Sequence, residues 1–322
     1  MKRRRKDFFH SYQEPSLVPL SEKDKVSRIN QAREFGKLGL YLWYSEEGAS
    51  GSSGISARYY PKTNNKPAPR LVMSPKIRSI DLLPPDARIK ESHSDEQTVV
   101  LWRSPKITEI PKYIEVDEDV GWLIGFWHAE GQKGKRKTYK LALGNSNTAL
   151  VERFMKIFRE QISHKEKIKI YARPEVGGEI KSNPFAGFKN VNVVVEKNSK
   201  FSYTKPHYRI DIVNKVIYFV LSGIFERSKN IRDFRLGYVA GFIDGDGYIS
   251  KEGRLDIRME KCDHSKAVYG FIKLVLESEG FPIREYLKRQ YRMQITSKRY
   301  AKRIANTFPI HHDFKLRRLA SS

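Results

Sequence analysis

The stretch RLGYVAGFIDGDGYIS, residues 235–250, predicts an apolar helix with glycine at positions that helices rarely give it. Gly237, Gly241 and Gly245 are four residues apart, so they share one helix face. Each glycine inside a helix costs about 1 kcal/mol relative to alanine. A stripe of small residues lets a second backbone approach closely, which offsets that cost. The stretch therefore predicts a helix that packs backbone to backbone against a partner.

A partner is available in the chain itself, because the motif is repeated. GWLIGFWHAEG (121–131) aligns without a gap with GYVAGFIDGDG (237–247), and both copies carry an acid before the final glycine, Glu130 and Asp246. Two such helices that meet at a pseudo-twofold axis would place these carboxylates side by side. The alternative is two independent helices, each facing a strand of its own.

The segments behind each motif repeat as well. YRIDIVNK (208–215) matches YRMQITSK (291–298), and each match lies between a strand-like segment and an apolar helix. Together with the alternating and amphipathic segments before them, these matches predict the order helix, two strands, helix, two strands, helix in both halves. An insertion over residues 175–206 separates the last two strands of the first half, and it adds either a strand or a DNA-contacting loop.

The repeats divide the chain into three parts. Residues 115–228 are the predicted first repeat and residues 229–322 the second. Residues 1–114 form an N-terminal extension, which is either an accessory DNA-binding arm or a small domain. The run KRRRK near its start is either a phosphate-contacting arm or a solvated tail.

Composition indicates a polyanionic partner. The 322 residues carry a net charge of +24, which favours nucleic acid over a generic basic protein. The single cysteine, Cys262, excludes a disulfide framework within one chain. No apolar run approaches the roughly 18 residues of a membrane span, and the N-terminus lacks a secretory core. We expect no membrane partner and an intracellular location, in the cytoplasm or nucleoid of a prokaryote, with an organelle as the alternative.

Two carboxylates at neighbouring helix C-termini are unfavourable on their own, because the helix dipole is negative there and like charges repel. A divalent cation removes both problems. Carboxylates, carbonyls and waters are hard oxygen ligands that suit Mg²⁺, and on a basic surface they suit phosphodiester cleavage. We expect Glu130 and Asp246 to hold the metal, with help from the carbonyl groups of Ala129 and Gly245.

The two motifs resemble the signature helix of the LAGLIDADG homing endonucleases, closely in YVAGFIDGDG (238–247) and more loosely in WLIGFWHAEG (122–131). The resemblance covers residues 115–320. His128 stands where the signature has its first acid, a position that Asp244 occupies in the second copy; both are interpreted as neighbours that cap or tune the site. The implied fold is α+β, with two pseudo-symmetric αββαββα repeats forming a saddle of antiparallel sheets around the central helix pair.

The resemblance implies a monomeric, intron-encoded endonuclease that makes a double-strand break in a long DNA target. The cofactor is Mg²⁺, with Mn²⁺ or Ca²⁺ able to occupy the sites. The family places a basic residue after the third helix of each half, and the matching positions are Lys229 and Lys315. It places a polar residue after the second strand, which corresponds to Asn145 and Lys261. These four join Glu130 and Asp246 as predicted catalytic residues.

The outward-facing strand and hairpin residues are the predicted contacts to double-stranded DNA, since Arg and Gln suit base edges and Lys suits phosphates. They are Lys135, Arg136, Lys137, Lys140, Arg254, Asp256, Arg258, Arg284, Lys288, Arg289, Arg292 and Gln294.

Two other functions are open for the same fold. One is a maturase that helps its own intron RNA to splice, and the other is a DNA-binding regulator without catalysis. The presence of Glu130 and Asp246 argues against a role without catalysis, whereas the N-terminal extension leaves room for a second nucleic-acid-binding module.

Overall fold

The computed structural model describes residues 75–84, 88–91, 97–101, 107–131, 139–180, 182–196 and 203–321. The chain divides into two compact units, Met1–Lys76 and Ile77–Ser322. Most of the predicted extension, residues 1–114, lies outside the described residues. Its described end contains a 3-10 turn (Ser79–Leu82) and five strands: β1 (Lys76–Arg78), β2 (Arg88–Glu91), β3 (Gln97–Leu101), β4 (Ile107–Pro111) and β5 (Tyr113–Glu115).

The first repeat begins with the helix that was predicted from the glycine motif. A five-residue π-helical turn, Phe158–Ile162, extends its second helix. The elements in chain order are α1 (Glu118–Glu130), β6 (Lys140–Asn145), α2 (Thr148–Ile157), β7 (Ile168–Arg173), β8 (Val191–Val195), β9 (His207–Val213) and α3 (Lys215–Arg227).

The second repeat has the predicted order of helix, two strands, helix and two strands, and it ends in two short helices in place of one. Among the described residues, the first repeat instead has one strand between its first two helices and three strands after the second, because the insertion supplies β8. None of the described helices has the length and apolar character needed to cross a bilayer. The elements are α4 (Arg232–Asp246), β10 (Tyr248–Ile249), β11 (Leu255–Met259), α5 (Asp263–Ser278), β12 (Arg284–Tyr286), β13 (Tyr291–Ile295), α6 (Ala301–Thr307) and α7 (Asp313–Ala320).

Polar caps fix where the helices of the first repeat start. The Asp117 carboxylate accepts a hydrogen bond from the Val120 N–H at 2.9 Å, and the Asn214 side chain accepts from the N–H groups of Val216 and Ile217. These bonds satisfy donors that the first turn of a helix leaves unpaired. Because the Asp117 cap fixes where α1 begins, it also fixes which residues form the C-terminal end of the helix, where Glu130 lies.

Each repeat folds its strands into a four-stranded sheet, in the order β6-β9-β7-β8 and β10-β11-β13-β12. The antiparallel trio β6-β9-β7 therefore corresponds to β11-β13-β12. Ile210 and Ile212 of β9 are buried in the core, as are Met293 and Ile295 of β13, so the other face of each sheet points outward. The predicted α+β class with antiparallel sheets around a helix pair is confirmed.

One strand of the insertion departs from the antiparallel pattern. β8 pairs with β7 in the parallel direction, with Ile168 opposite Val191 and Ala172 opposite Val195. The connection through residues 174–190 is long enough to return the chain in the same direction, which a hairpin cannot do. The insertion therefore adds an edge strand to the first sheet, one of the two outcomes that the sequence left open.

The glycines of α1 and α4 face each other across the helix pair. A Cβ atom on Gly121 would lie 2.3 Å from the carbonyl oxygen of Phe234, and a Cβ on Gly237 would lie 2.0 Å from the carbonyl oxygen of Glu118. The motif alignment carries Gly121 onto Gly237 and Glu118 onto Phe234. Each contact is therefore the other one with the two helices exchanged, as a pseudo-twofold axis requires.

The next pair of glycines repeats this relation one turn further along. A Cβ on Gly125 would lie 2.0 Å from the Tyr238 carbonyl oxygen, and a Cβ on Gly241 would lie 2.1 Å from the Trp122 carbonyl oxygen. Both obstacles are backbone atoms, which a side-chain rotation cannot move. The helices thus pack backbone to backbone, which excludes the alternative of two independent helices.

Candidate active site

The C-terminal ends of α1 and α4 meet at the last glycine of the stripe. A Cβ on Gly245 would lie 2.6 Å from the Cβ of Ala129 and 3.1 Å from the Cγ of Glu130. Glu130 therefore packs on the last turn of α4, whose final residue is Asp246. Glycine at this position leaves the space that the Glu130 side chain occupies.

The two carboxyl groups influence each other electrostatically. Burial and then the negative charge of Asp246 raise the pKa of Glu130 to about 7, against the opposing effects of the Asn145 hydrogen bond and the Lys315 charge. A buried carboxyl beside a second carboxylate releases its proton reluctantly, because ionisation would place two like charges together. The arrangement is one that a bound cation stabilises.

Asn145 orients the carboxyl group of Glu130. Its amide donates to Glu130 Oε1 at 2.6 Å, while its own side-chain oxygen accepts from the Asn147 N–H at 2.7 Å. The second bond fixes which end of the amide faces the carboxyl group. The predicted polar residue of the first repeat thus lies at the acid pair.

Lys315 lies at the end of α4. Its ammonium group donates to the carbonyl oxygens of Ile243, Asp244 and Gly245 at 2.6, 2.8 and 3.0 Å. Burial lowers the pKa of Lys315 to about 8, although the charges of Asp244, Glu130 and Asp246 act in the opposite direction. The lysine therefore caps the negative end of the helix dipole and occupies the Gly245 carbonyl that was predicted as a metal ligand.

The other two predicted lysines make contacts of their own. Lys229 forms an ion pair with Glu226 at 2.6 Å, and its ammonium lies 4.6 Å from the ring centroid of Phe225. Lys261, which was matched to Asn145, donates instead to the Lys288 carbonyl oxygen at 3.1 Å. The sheet registers explain this difference, because the residue of β11 that corresponds to Asn145 is not Lys261.

That correspondence follows from the strand pairs. Asn145 lies opposite Tyr208, and Tyr208 aligns with Tyr291, which lies opposite Met259. The residue that corresponds to Asn145 is therefore Met259, whereas a gapless extension of the motif alignment gives Lys261. The segment between the motif and the strand is two residues shorter in the second repeat. Asp246 has no counterpart of Asn145 at the matching position of its own sheet.

Asp244 ties the two repeats and the C-terminal segment together. Its fully buried carboxylate accepts from Trp122 Nε1 at 2.7 Å and from the N–H groups of His311 and His312 at 2.8 and 3.0 Å. Burial raises the pKa of Asp244, against the effect of these hydrogen bonds. This bonding is that of a structural acceptor and agrees with its interpretation as a neighbour of the site.

A second bond across the helix pair mirrors the first. His128 Nδ1 lies 2.8 Å from the Tyr238 hydroxyl, and both residues are buried. The motif offset that carries Trp122 onto Tyr238 also carries His128 onto Asp244. Sequence reasoning missed these aromatic partners, although the gapless alignment of the two motifs already places Trp122 against Tyr238.

The donor set fits a divalent cation in part. Glu130 and Asp246 are brought together and supply the hard oxygen ligands that Mg²⁺ prefers. The described residues contain no group of three or more His, Cys, Asp or Glu side chains arranged to hold a metal. Further ligands must then come from water, the substrate or backbone carbonyls. The Gly245 carbonyl oxygen already accepts a hydrogen bond from Lys315, which leaves it one further lone pair.

The predicted DNA contacts of the second half lie partly on strands, at Arg258, Arg284, Arg292 and Gln294, and partly in the adjoining turns, at Arg254, Lys288 and Arg289. Arg254, Arg258, Arg284, Lys288 and Arg289 are exposed, whereas Arg292 and Gln294 are half-buried.

Two predicted contacts differ from simple surface groups. Asp256 is buried beneath the arginines that bond to it, and Lys140 of the first sheet forms an ion pair with Asp211 at 2.7 Å. Lys135, Arg136 and Lys137 lie outside the described residues.

Solved structures with a similar fold include two of the homing endonuclease I-DmoI. Mesophilic variants of I-DmoI are 17% identical, with a TM-score of 0.41 and coverage of 61% of this chain and 98% of theirs. The complex of I-DmoI with DNA and Ca is 16% identical, with a TM-score of 0.41 and coverage of 64% and 97%. The N-terminal LAGLIDADG domain of DUF199/WhiA is 10% identical, with a TM-score of 0.39 and coverage of 62% and 86%. No protein-family model and no curated protein sequence matches the chain.

Proposed function

We propose that this protein is a site-specific, divalent-metal-dependent DNA endonuclease of the LAGLIDADG homing type. The observation that carries the proposal is the packing of Glu130 onto the end of α4, where its pKa responds to the charge of Asp246. A carboxylate pair on a strongly basic protein suits hydrolysis of a polyanion's phosphodiester bonds.

The chain's own residues divide the work. Glu130 and Asp246 would hold Mg²⁺, or Mn²⁺ or Ca²⁺ in its place, and the ion would supply Lewis acidity at the phosphodiester. Asn145 keeps the Glu130 carboxyl oriented toward the pair. Lys315 holds the last turn of α4 in place and adds positive charge near the acid pair.

One chain supplies both acids of the pair, which supports a monomer as the active form. Intron encoding and a prokaryotic intracellular location complete the proposal. They rest on the resemblance of the two motifs.

The test is sequencing of the DNA ends produced from a randomised duplex library and from host genomic DNA with Mg²⁺. We expect double-strand breaks within one consensus, and rates at least about 100-fold lower for Glu130→Gln and Asp246→Asn. Glu277→Gln, which changes an exposed acid on α5, is the matched control and keeps the parent rate.

Three results would contradict the proposal. Undiminished cutting by both acid variants would remove the carboxylate pair from the chemistry. Salt-sensitive binding of a consensus without cutting would indicate a regulator, and splicing of a precursor RNA without DNA cleavage would indicate a maturase.

A further inference from the structure

The outward face of the first sheet holds an arginine between a ring and an acid. Arg209 of β9 lies directly opposite Tyr171 of β7, and its guanidinium carbon is 4.4 Å from the centroid of the ring. Its Nε and Nη2 atoms each lie 3.4 Å from an oxygen of Asp211. Lys140 of β6 shares the same carboxylate at 2.7 Å.

The second sheet contains the same arrangement. Arg292 of β13 lies directly opposite Tyr286 of β12, with its guanidinium carbon 5.2 Å from the ring centroid. Its Nε and Nη2 atoms donate to the two oxygens of Asp256 at 3.0 and 2.8 Å. Arg258 of β11 shares this carboxylate through Nε at 3.0 Å and Nη2 at 2.6 Å.

The two arrangements are related by the pseudo-twofold axis. The alignment of residues 208–215 with 291–298 carries Arg209 onto Arg292, and both arginine side chains are 27% exposed above an acid that is 7% exposed. β7 and β12, which supply the rings, are equivalent strands in the two sheets.

The acid itself comes from different strands. In the first sheet it is Asp211 on β9, opposite Ala142, whereas in the second it is Asp256 on β11, opposite Gln294. The carboxylate has thus changed strand while remaining under the same arginine. In both sheets a carboxylate lies against the arginine, but it is supplied from different strands. The position of the arginine is the same in both sheets, so we take the arginine to be the functional member of the group.

The contacts leave the end of each guanidinium available. Arginine has five N–H donors. In Arg292 the acid accepts from Nε and from one Nη2 proton, whereas in Arg209 it accepts from Nη2, and that atom also lies 4.0 Å from Glu196 Oε1. The Nη1 group and the second Nη2 proton remain, and together they form a planar two-donor fork. A fork held flat by a ring and an acid is pre-organised for a planar pair of acceptors. In the major groove that pair is O6 and N7 of guanine.

We propose that Arg209 and Arg292 are specificity-determining residues that read guanine at two target positions related by the pseudo-twofold axis. The inference rests on the proposed function, because it requires the outward sheet faces to lie on duplex DNA. Asp211 and Asp256 are positioning residues that hold the arginines, and so are the rings of Tyr171 and Tyr286.

The test uses the Glu130→Gln/Asp246→Asn double variant, so that selection from a randomised duplex library reports binding without cleavage. We expect a consensus with guanine at two pseudo-symmetric positions on opposite strands. Replacing either guanine weakens binding roughly 5- to 150-fold at fixed salt. Adding Arg292→Lys removes the preference at one position only, and adding Arg209→Lys removes it at the other.

Lysine keeps the charge of arginine but lacks the planar fork, so the lysine variants retain phosphate-driven affinity and its salt dependence. Arg232→Lys is the matched control, because Arg232 is also ion-paired, with Glu279 at 3.1 Å, but lies at the start of α4. It keeps both guanine preferences.

The positioning residues have a separate readout. Asp256→Asn and Tyr286→Ala weaken the preference at the Arg292 position only, whereas Tyr286→Phe retains the ring and restores it. A purely structural role would instead lower the melting temperature and affinity for all sequences alike.

The inference and the proposed function fail in different ways. A consensus that both lysine variants leave unchanged, or one without the paired guanines, overturns the inference and leaves the nuclease intact. The absence of DNA binding by the parent protein at low salt would overturn both.

Discussion

Gly125 and Gly241 occupy positions in the helix pair where a single carbon atom would collide with backbone. The nearest obstacles are carbonyl oxygens of the opposite helix, 2.0 and 2.1 Å from the ideal Cβ positions. Close packing along α1 and α4 therefore compensates for the helix propensity that glycine forfeits. The same glycines determine how near the two helix ends can come.

Gly241→Ala is expected to destabilise the protein by about 3 kcal/mol, because α1 must move away to admit the methyl group. Urea denaturation measures this loss in the free energy of unfolding. Gly270→Ala is the matched control, since a Cβ at that position in α5 meets no atom within 4 Å. It should stabilise the protein by up to about 1 kcal/mol. Equal effects of the two substitutions would contradict the close packing.

Asp244→Asn is expected to lower the free energy of unfolding by about 2 kcal/mol. The carboxylate accepts three hydrogen bonds from N–H groups, and the NH₂ of an amide in its place would face one or more of these donors with another donor. The change in urea midpoint gives the loss. Asp313→Asn, an exposed acid in the first turn of α7, is the control and should change stability by less than about 1 kcal/mol. A loss no larger than that of the control would show that the buried network contributes little.

At the residue scale, the sequence predicts the glycine contacts and the acids at the helix ends, because periodicity alone sets them. It does not predict that Lys315 bonds to three carbonyls of α4, since that contact depends on how the C-terminal segment folds back. It also misplaces Lys261, because a two-residue difference between repeats is invisible without the strand registers.

At the scale of elements, the segment before α7 is fixed to α4 by its backbone N–H groups, which donate to the Asp244 carboxylate. The ring of His312 packs near Phe314 of α7, whereas the ring of His311 lies beside the helix pair. The ring of His311 meets the edge of Trp122 at 5.9 Å. Burial lowers the pKa of His311 to about 4, reinforced by Arg153 and opposed by Asp119.

The lowered pKa of His311 predicts that the folded protein loses stability in acid. Between about pH 6.5 and 4 the unfolded chain binds a proton at His311 that the folded chain excludes, so stability falls as the pH falls through that window. For a partly exposed ring, we expect His311→Asn to gain about 1 to 2 kcal/mol over the parent between pH 7.5 and 4.5.

Urea denaturation at the two pH values measures the difference between parent and His311→Asn. His164→Asn, which replaces an exposed histidine, is the matched substitution for comparison. A free-energy gap between parent and His311→Asn that does not change with pH would contradict the assignment.

The strands show where sequence patterns lose their predictive value. Alternation correctly places β11 and β13 with one buried and one outward face, because it reflects a local periodicity. The parallel direction of β8 depends on the path of residues 174–190, which no local pattern encodes. The match of Arg209 to Arg292 is readable from the sequence, but their tyrosine partners emerge only from the registers.

At the scale of the whole molecule, duplication within one chain gives two similar halves that need not be identical. The helix pair keeps its symmetry in backbone contacts, whereas the acid site does not: Asn145 orients Glu130, and Lys315 caps the helix of Asp246. The two acids therefore have different surroundings, which two halves of one chain allow and two identical subunits related by exact symmetry do not.

The central claim is that close packing of α1 and α4 places Glu130 and Asp246 around one divalent-ion site. Anomalous diffraction from crystals soaked in Mn²⁺ tests it most directly. We predict a peak at about 2.1 Å from carboxylate oxygens of both residues, which disappears in the Glu130→Gln/Asp246→Asn variant. A peak bound elsewhere, or two carboxylates too far apart to share an ion, would contradict the account.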